Sequence, residues 1–115
     1  MDTPKNILGS FEEIVLLATH KLGEGAYGAK IRQAVEEALG KSVSIGAIYA
    51  TLDRLERKGF ISSRQGEATP ERGGRAKRYF RIQGDGLAAL SDTWAARRKL
   101  TEGVDTTWDP LGGTI

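Results

Sequence analysis

The hydrophobic and polar residues in the first half of this 115-residue chain follow a helical period. Apolar residues recur at intervals of three and four in three segments: 11–21, 31–39 and 44–58. Ser10 with Glu13 matches a capping box at the start of the first segment. Gly40 supplies a stop after the second segment, and Ser44 is a favourable N-cap for the third. Because only the residues around "KSV" separate the last two segments, the pattern predicts a helix-turn-helix.

The first predicted helix is apolar over more than one face. Its core stripe consists of Phe11, Ile14, Val15 and Ala18. Four further apolar residues fall outside that stripe or precede the helix: Ile7, Leu8, Leu16 and Leu17. Because the core of a small domain rarely requires so much apolar surface on one helix, the pattern predicts a second packing surface, such as that of a partner subunit.

After Gly59 the period changes from helical to extended. The runs "FISSRQGE" and "AKRYFRI" are separated by "ATPERGGR", which predicts a β-hairpin with a long tip. Helical spacing then returns with a stripe of Leu87, Leu90, Trp94 and Leu100. The predicted fold class is therefore mainly α with a small β-hairpin, in the order helix, helix, helix, hairpin, helix.

Positive charge is concentrated in one part of the chain. The net charge of the whole protein is only +2, but residues 54–81 carry nine Arg or Lys side chains and three Glu, a net charge of +6. The segments 1–53 and 82–115 each have a net charge of −2. A basic field confined to one quarter of the chain favours a polyanionic partner. The alternative is a solvated surface that only maintains solubility.

The third predicted helix carries small and basic residues opposite its apolar stripe. A spacing of 100° per residue places the following side chains on that side: Ala47, Ala50, Arg54, Arg57 and Lys58. Small residues at the start of a helix allow close approach to a DNA groove, and the helix dipole favours phosphate there. We therefore predict DNA contacts from Ser44, Ala47, Ala50 and Arg54.

Two of these predictions have structural alternatives. Arg54 is suited to a guanine edge or a phosphate, but it is equally placed to form a surface ion pair with a neighbouring carboxylate. Tyr49, on the flank of the helix, would either donate its hydroxyl to a phosphate oxygen or pack against the second helix or the hairpin.

The hairpin tip is rich in glycine and is surrounded by cations. Gly73 and Gly74 leave the backbone unobstructed, and the neighbouring cations are Arg72, Arg75, Lys77 and Arg78. A helix-turn-helix followed by such a basic wing predicts a winged helix-turn-helix that binds double-stranded DNA through helix 44–58 and wing 66–78. The alternative is a winged-helix protein-interaction module whose basic wing binds an acidic partner and that does not read DNA.

Several functional classes are excluded. The chain has no cysteine and a single histidine, His20, so a metal site is not expected. It contains no arrangement of nucleophile, base and orienting residue and no P-loop, so we expect neither an enzyme nor a cofactor. No signal sequence and no apolar run of about 18 residues is present, and we therefore expect a cytoplasmic protein that does not enter the membrane.

A longer stretch resembles a known family. The segment "VSIGAIYATLDRLERKGFISSRQGEATPERGGRAKRYFRI", preceded by "AYGAKI", is similar to the PadR family of bacterial transcriptional regulators, and the similarity covers about residues 8–100. The resemblance implies a homodimeric, usually repressing, winged-helix regulator whose third helix and wing contact operator DNA. The positions that match the family's motif are Tyr49 in the third helix and Gly74, Arg75, Lys77 and Tyr79 in the wing and its second strand.

We expect the dimer to form through the first and fourth helices and to bind a palindromic operator. The predicted interface residues are Ile7, Leu8, Phe11, Leu87, Leu90 and Trp94. Trp94 would either anchor this interface or, as the resemblance suggests, stack on a small aromatic effector. The chain is thus divided into a DNA-binding domain (1–83), a dimerisation helix (84–101) and a flexible tail (102–115).

Overall fold

The computed structural model describes residues 6–66 and 76–105. The helices are α1 (Ser10–Leu22), α2 (Gly28–Leu39), α3 (Ile45–Arg57) and α4 (Gly84–Thr101), and the strands β1 (Ile61–Gln65) and β2 (Arg78–Ile82) lie between α3 and α4. This order confirms the predicted fold class. Within the described ranges, no helix combines the length and apolar character needed to cross a membrane.

The turn between α2 and α3 is stabilised by the two residues that predicted it. Gly40 adopts the left-handed conformation with φ of 70°, and its N–H donates to the carbonyl oxygen of Glu36. The hydroxyl oxygen of Ser44 accepts the N–H of Ala47 at 3.0 Å. The predicted capping box of α1 is wrong by one residue, because Gly9 takes the extended N-cap conformation and its N–H donates to Glu12 Oε1 at 3.2 Å.

A single core joins α1, α2, α3 and the base of the hairpin. Its fully buried large side chains are Val15, Leu16, Ile31, Val35, Ile48, Leu52, Leu55 and Phe60. The prediction that Leu16 lies off the core stripe is wrong, because α1 is surrounded by α2, α3, α4 and β2 and buries more than one face. Ile45, in the first turn of α3, is 38% exposed because this turn extends past the edge of the core.

The hairpin is antiparallel and is attached to the body through β2. Its ladder runs from the pair Ile61 and Ile82 to the pair Gln65 and Arg78. The N–H of Phe80 donates to the carbonyl oxygen of Ala26 at 2.8 Å, which holds β2 against the connection between α1 and α2. The predicted tip, residues 68–75, lies outside the described residues.

Helix α4 packs on the body through small residues. Gly86 lies against the carbonyl of Phe60, so closely that a Cβ at this position would overlap it. Ala89, Leu90 and Thr93 continue the buried face, whereas Leu87 and Trp94 are each 45% exposed. Of the predicted stripe of α4, Leu90 thus faces the core of this chain, whereas Leu87 and Trp94 are accessible.

Candidate nucleic-acid interface

The outer face of α3 presents small side chains at its start. Ala47 and Ala50 are exposed, as is Ser44, whose hydroxyl already accepts the N–H of Ala47. Arg54 and Arg57 follow on the exposed side toward the end of the helix. A helix with this surface can enter a groove to the depth of its backbone at the first turns and place cations near phosphates at its far end.

A groove separates α3 from the base of the hairpin. It has a volume of about 450 Å³ and is lined by Tyr27, Gly28, Ala29, Tyr49, Ala76, Lys77 and Arg78. The ammonium group of Lys77 lies 4.0 Å above the ring of Tyr27, and that ring makes an edge contact with Tyr79 at 5.6 Å between centroids. The start of the second half of the hairpin and α3 thus line one cleft, with cations along one wall.

Tyr49 is half-buried, and its position depends on a glycine of α2. Its ring lies 6.4 Å from that of Phe80, and its hydroxyl occupies the place that a Cβ of residue 28 would take. Any larger residue at position 28 would therefore displace Tyr49 or separate α2 from α3. The ring packs against both α2 and the hairpin while it lines the groove, so the structure combines features of the two alternatives considered for this residue.

Glu12 of α1 binds the cations at the C-terminal end of α3. Its Oε2 lies 2.9 Å from Lys58 Nζ and 3.7 Å from Arg54 Nε. Arg54 also donates to the hydroxyl oxygen of Thr51 at 3.1 Å. Burial raises the pKa of the Glu12 carboxyl, but hydrogen bonds from Lys58 and the Gly9 amide and the charge of Arg54 outweigh burial, so that its pKa lies below the ordinary value.

Arg78 of β2 is bound by two carboxylates of α3. Its Nη2 donates to Glu56 Oε1 at 2.6 Å, and its Nη1 lies 3.5 Å from Asp53 Oδ1. Glu56 also accepts the hydroxyl proton of Ser63 at 2.8 Å, so this one carboxylate contacts both strands of the hairpin. The predicted DNA contact Arg78 is therefore already engaged within the chain.

Glu13 of α1 binds two side chains of α4 and so holds this helix against α1. Its side chain is buried, and its two oxygens accept the indole N–H of Trp94 at 2.6 Å and Nη2 of Arg97 at 2.8 Å. The ring of Trp94 is thereby held by its polar edge while 45% of the residue remains exposed. A side chain held in this way presents a fixed apolar face to the outside.

The other predicted interface residues divide into buried and accessible groups. Leu8 and Leu90 are buried in the core of this chain, and the N–H of Leu8 donates to Thr93 Oγ1 at 3.1 Å. Ile7 and Phe11 are half-buried, and Leu87 is exposed. More of the accessible apolar surface therefore belongs to α4, through Leu87 and Trp94, than to α1. Three predicted wing residues, Arg72, Gly74 and Arg75, lie outside the described residues, as does Trp108.

The residues that hold α3, α4 and the hairpin in place were not evident from the sequence. Glu12, Glu13 and Glu56 contact cations or polar groups of other elements, and Gly28 and Gly86 allow close packing. The available signal was the motif "AYGAKI", in which a glycine at the start of a helix indicates a close neighbour. In the part of the chain that the structure describes, no group of three His, Cys, Asp or Glu side chains could hold a metal ion.

The helix-turn-helix, the antiparallel hairpin beside it and the common cleft define a winged helix-turn-helix protein. Residues 16–92 match the profile of the transcriptional regulator PadR-like family, and the chain belongs to this family. Members of this family are DNA-binding transcription regulators and are not enzymes. The prediction from the sequence motifs is confirmed at this level.

Solved structures support the same assignment. The chain is similar to a PadR-like transcription factor from Bacteroides fragilis, with 30% identity, a TM-score of 0.70 and coverage of 82% of this chain and 85% of that one. A PadR family regulator from Eggerthella lenta is 25% identical, with a TM-score of 0.63 and coverage of 84% and 82%. A transcriptional regulator from Thermoplasma acidophilum shares the fold at 21% identity, with a TM-score of 0.65 and coverage of 83% and 89%. Among curated proteins, no sequence matches this chain.

Proposed function

We propose that this protein is a homodimeric repressor that binds a palindromic operator. The supporting observation is that one cleft is lined by both Tyr49 of α3 and Lys77 of the hairpin, because a helix in a major groove and a wing on the adjacent backbone must act from the same side. Family membership adds DNA binding and transcription regulation as the class of activity. The protein would act in the cytoplasm, where it has access to DNA.

In this proposal α3 contacts base edges and the hairpin contacts phosphates. Ser44, Ala47 and Ala50 would allow the start of α3 to approach the bases, and Tyr49 and Arg54 would contact the backbone or a guanine. On the hairpin, Lys77 and the wing residues Arg72, Gly74 and Arg75 would bind phosphates. One helix and one wing bury little surface, so a monomer would bind weakly.

Dimerisation would bring two copies of this interface to one operator. Leu87 and Trp94 are exposed on α4, and Ile7 and Phe11 are only half-buried, so these apolar side chains are available to a second copy. Two recognition helices about 34 Å apart would then enter successive major grooves. Occupation of the operator would repress transcription. A ligand that stacks on Trp94 would lower the population of the binding-competent dimer and so release the operator.

The test is selection of DNA fragments from a random pool by the full-length protein at near-physiological salt. We expect enrichment of an inverted repeat whose half-sites are centred about 10 base pairs apart. Light scattering at micromolar concentration should give the mass of a dimer. Lys77→Ala should weaken binding to all sequences and reduce the slope of log affinity against log salt by about 0.9.

The control for the lost charge is Lys99→Ala, at the far end of α4, which should leave the salt slope unchanged. If no sequence is enriched and duplex DNA shows no salt-sensitive binding, the proposed function fails and the protein-interaction alternative takes its place. A monomeric mass together with enrichment of a single half-site would contradict only the proposed dimer and would leave the proposed DNA binding intact.

A further inference from the structure

Arg78 has more contacts within the chain than a phosphate-binding arginine at a DNA surface requires. Besides the two carboxylates of α3, its guanidinium carbon lies 4.9 Å from the centroid of the Phe80 ring. Phe80 is buried, so that the guanidinium is bounded by the acidic edge of α3 and by a core aromatic ring. The two carboxylates outnumber the single guanidinium, and this cluster by itself does not attract a phosphate.

Its position on the hairpin explains why these contacts matter. Arg78 pairs with Gln65 in the last pair of the described ladder, at the end of the strands that leads into the tip. The body holds the middle of β2 through Phe80, whereas Glu56 holds the end nearest the tip. Ser63, in the middle of β1 opposite Phe80, donates to the same carboxylate, so Glu56 contacts both strands of the hairpin.

Lys77 provides the contrast. It directly precedes Arg78, and its ammonium lies over Tyr27 in the cleft. Within the described residues no carboxylate lies within ion-pair distance of Lys77, whereas Arg78 has two. Adjacent cations at the base of the wing therefore differ in function: one is available to an anion in the cleft, and the other is bound by α3.

We infer that Arg78 is a positioning residue, which with Glu56 fixes the angle between the wing and the recognition helix, and that it does not contact DNA itself. This inference rests on the proposed DNA-binding function and assigns Glu56, an acidic residue, a supporting role in DNA binding. The two explanations of Arg78 predict opposite changes in DNA affinity when Glu56 is removed. If Arg78 bound phosphate and Glu56 competed with it, removal of Glu56 would strengthen binding, whereas loss of a positioning contact weakens it.

The experiment measures the affinity of the full-length protein for the selected operator between about 50 and 200 mM salt, by anisotropy of labelled DNA. The variants are Arg78→Gln, Glu56→Ala, the double variant and the milder Ser63→Ala. Glu37→Ala is the matched control, because Glu37 is an exposed glutamate of α2 and its loss changes the net charge equally. Thermal melts monitored by circular dichroism verify that each variant is folded at the temperature of the titration.

Arg78→Gln and Glu56→Ala should each weaken operator binding about tenfold without change in the salt slope. Their effects should not add, because either change frees the same end of the hairpin. Ser63→Ala should cause a smaller loss, and Glu37→Ala should bind as tightly as the wild type or more tightly. If Glu56→Ala fails to fold, the non-additive loss is tested with Ser63→Ala and Arg78→Gln.

Tighter binding by Glu56→Ala, together with a salt slope reduced by about 0.9 in Arg78→Gln, would overturn the inference and make Arg78 a phosphate contact. Wild-type affinity in both variants would also overturn it, because the network would then have no role in binding. These outcomes are distinct from failure of the proposed function, in which the wild-type protein itself shows no salt-sensitive binding to duplex DNA.

Discussion

Two adjacent glutamates of α1 hold two different surfaces of the molecule. Glu12 faces α3 and binds Lys58 and Arg54, and Glu13 faces α4 and binds Trp94 and Arg97. Because neighbouring residues of an α-helix are about 100° apart, two consecutive side chains can reach two different neighbours. The first turn of α1 thus links α3 to α4, the helix proposed for dimerisation.

The two sites differ in their partners, although the two glutamate side chains are buried to nearly the same extent, with 12% and 11% accessible. Glu12 binds two cations that are partly exposed, with 36% and 45% of their side chains accessible. Glu13 binds an indole N–H and one guanidinium, and a partner such as Trp94 cannot find a second acceptor without moving its ring. Ion pairs with exposed cations contribute little at either site, since Arg97 is itself 57% exposed, whereas the hydrogen bond from the indole N–H to the buried Glu13 carboxylate contributes more. The attachment of α4 to α1 should therefore depend more strongly on Glu13 than the attachment of α3 to α1 depends on Glu12.

The largest effect is expected from Glu13→Ala. This change removes the acceptor of Trp94 and the partner of Arg97, and we expect the free energy of unfolding to fall by about 2 kcal/mol. Glu13→Gln keeps an oxygen that can accept the indole N–H, so it should be less destabilising. Urea unfolding followed by circular dichroism measures both, with Glu37→Ala as a control at an exposed position. A loss for Glu13→Ala no greater than that for Glu12→Gln would contradict the difference between the two sites.

An intermediate effect is expected from Trp94→Phe. Phenylalanine keeps most of the apolar ring but lacks the N–H that Glu13 Oε2 accepts, so stability should fall by about 1 kcal/mol. The same substitution in a Glu13→Ala background should cost less, because the acceptor is already absent. Four urea titrations complete this double-mutant cycle. Equal costs in both backgrounds would show that the hydrogen bond does not stabilise α4.

Local chemistry made part of this fold predictable from the sequence. Gly40 and Ser44 define the turn of the helix-turn-helix through their own conformation and hydrogen bonds, which do not depend on distant residues. The strands of the hairpin were likewise marked by their change of period. The motif around Tyr49 and the basic wing then gave the family, which the comparisons confirm.

The choice of the buried face of each helix was less predictable. In α4 the predicted stripe is divided: Leu90 turns inward beside small residues such as Gly86 and Ala89, whereas Leu87 and Trp94 remain exposed. The packing partner and its distance decide such a choice, and neither is encoded in the period of one helix. For the same reason Glu13 was assigned to a capping box and Glu12 was not singled out, although each of them contacts a different helix.

The smallest effect is expected from Glu12→Gln, and it should depend on pH. Lys58 and the Gly9 amide hold the pKa of Glu12 below its ordinary value of 4.5, so its stabilisation is present above that value and is lost as the pH falls through the lower pKa of the folded protein. We expect Glu12→Gln to cost about 0.5 kcal/mol at pH 7, because its cations are partly exposed.

The difference between this variant and the wild type should shrink as the carboxyl becomes protonated in acid, and it should also decrease in high salt. Urea unfolding at a series of pH values from 7 to about 3 measures this dependence. A difference that persists unchanged in acid would mean that the geometry of the side chain, and not its charge, joins α1 to α3. The two glutamates would then stabilise their helices in the same way.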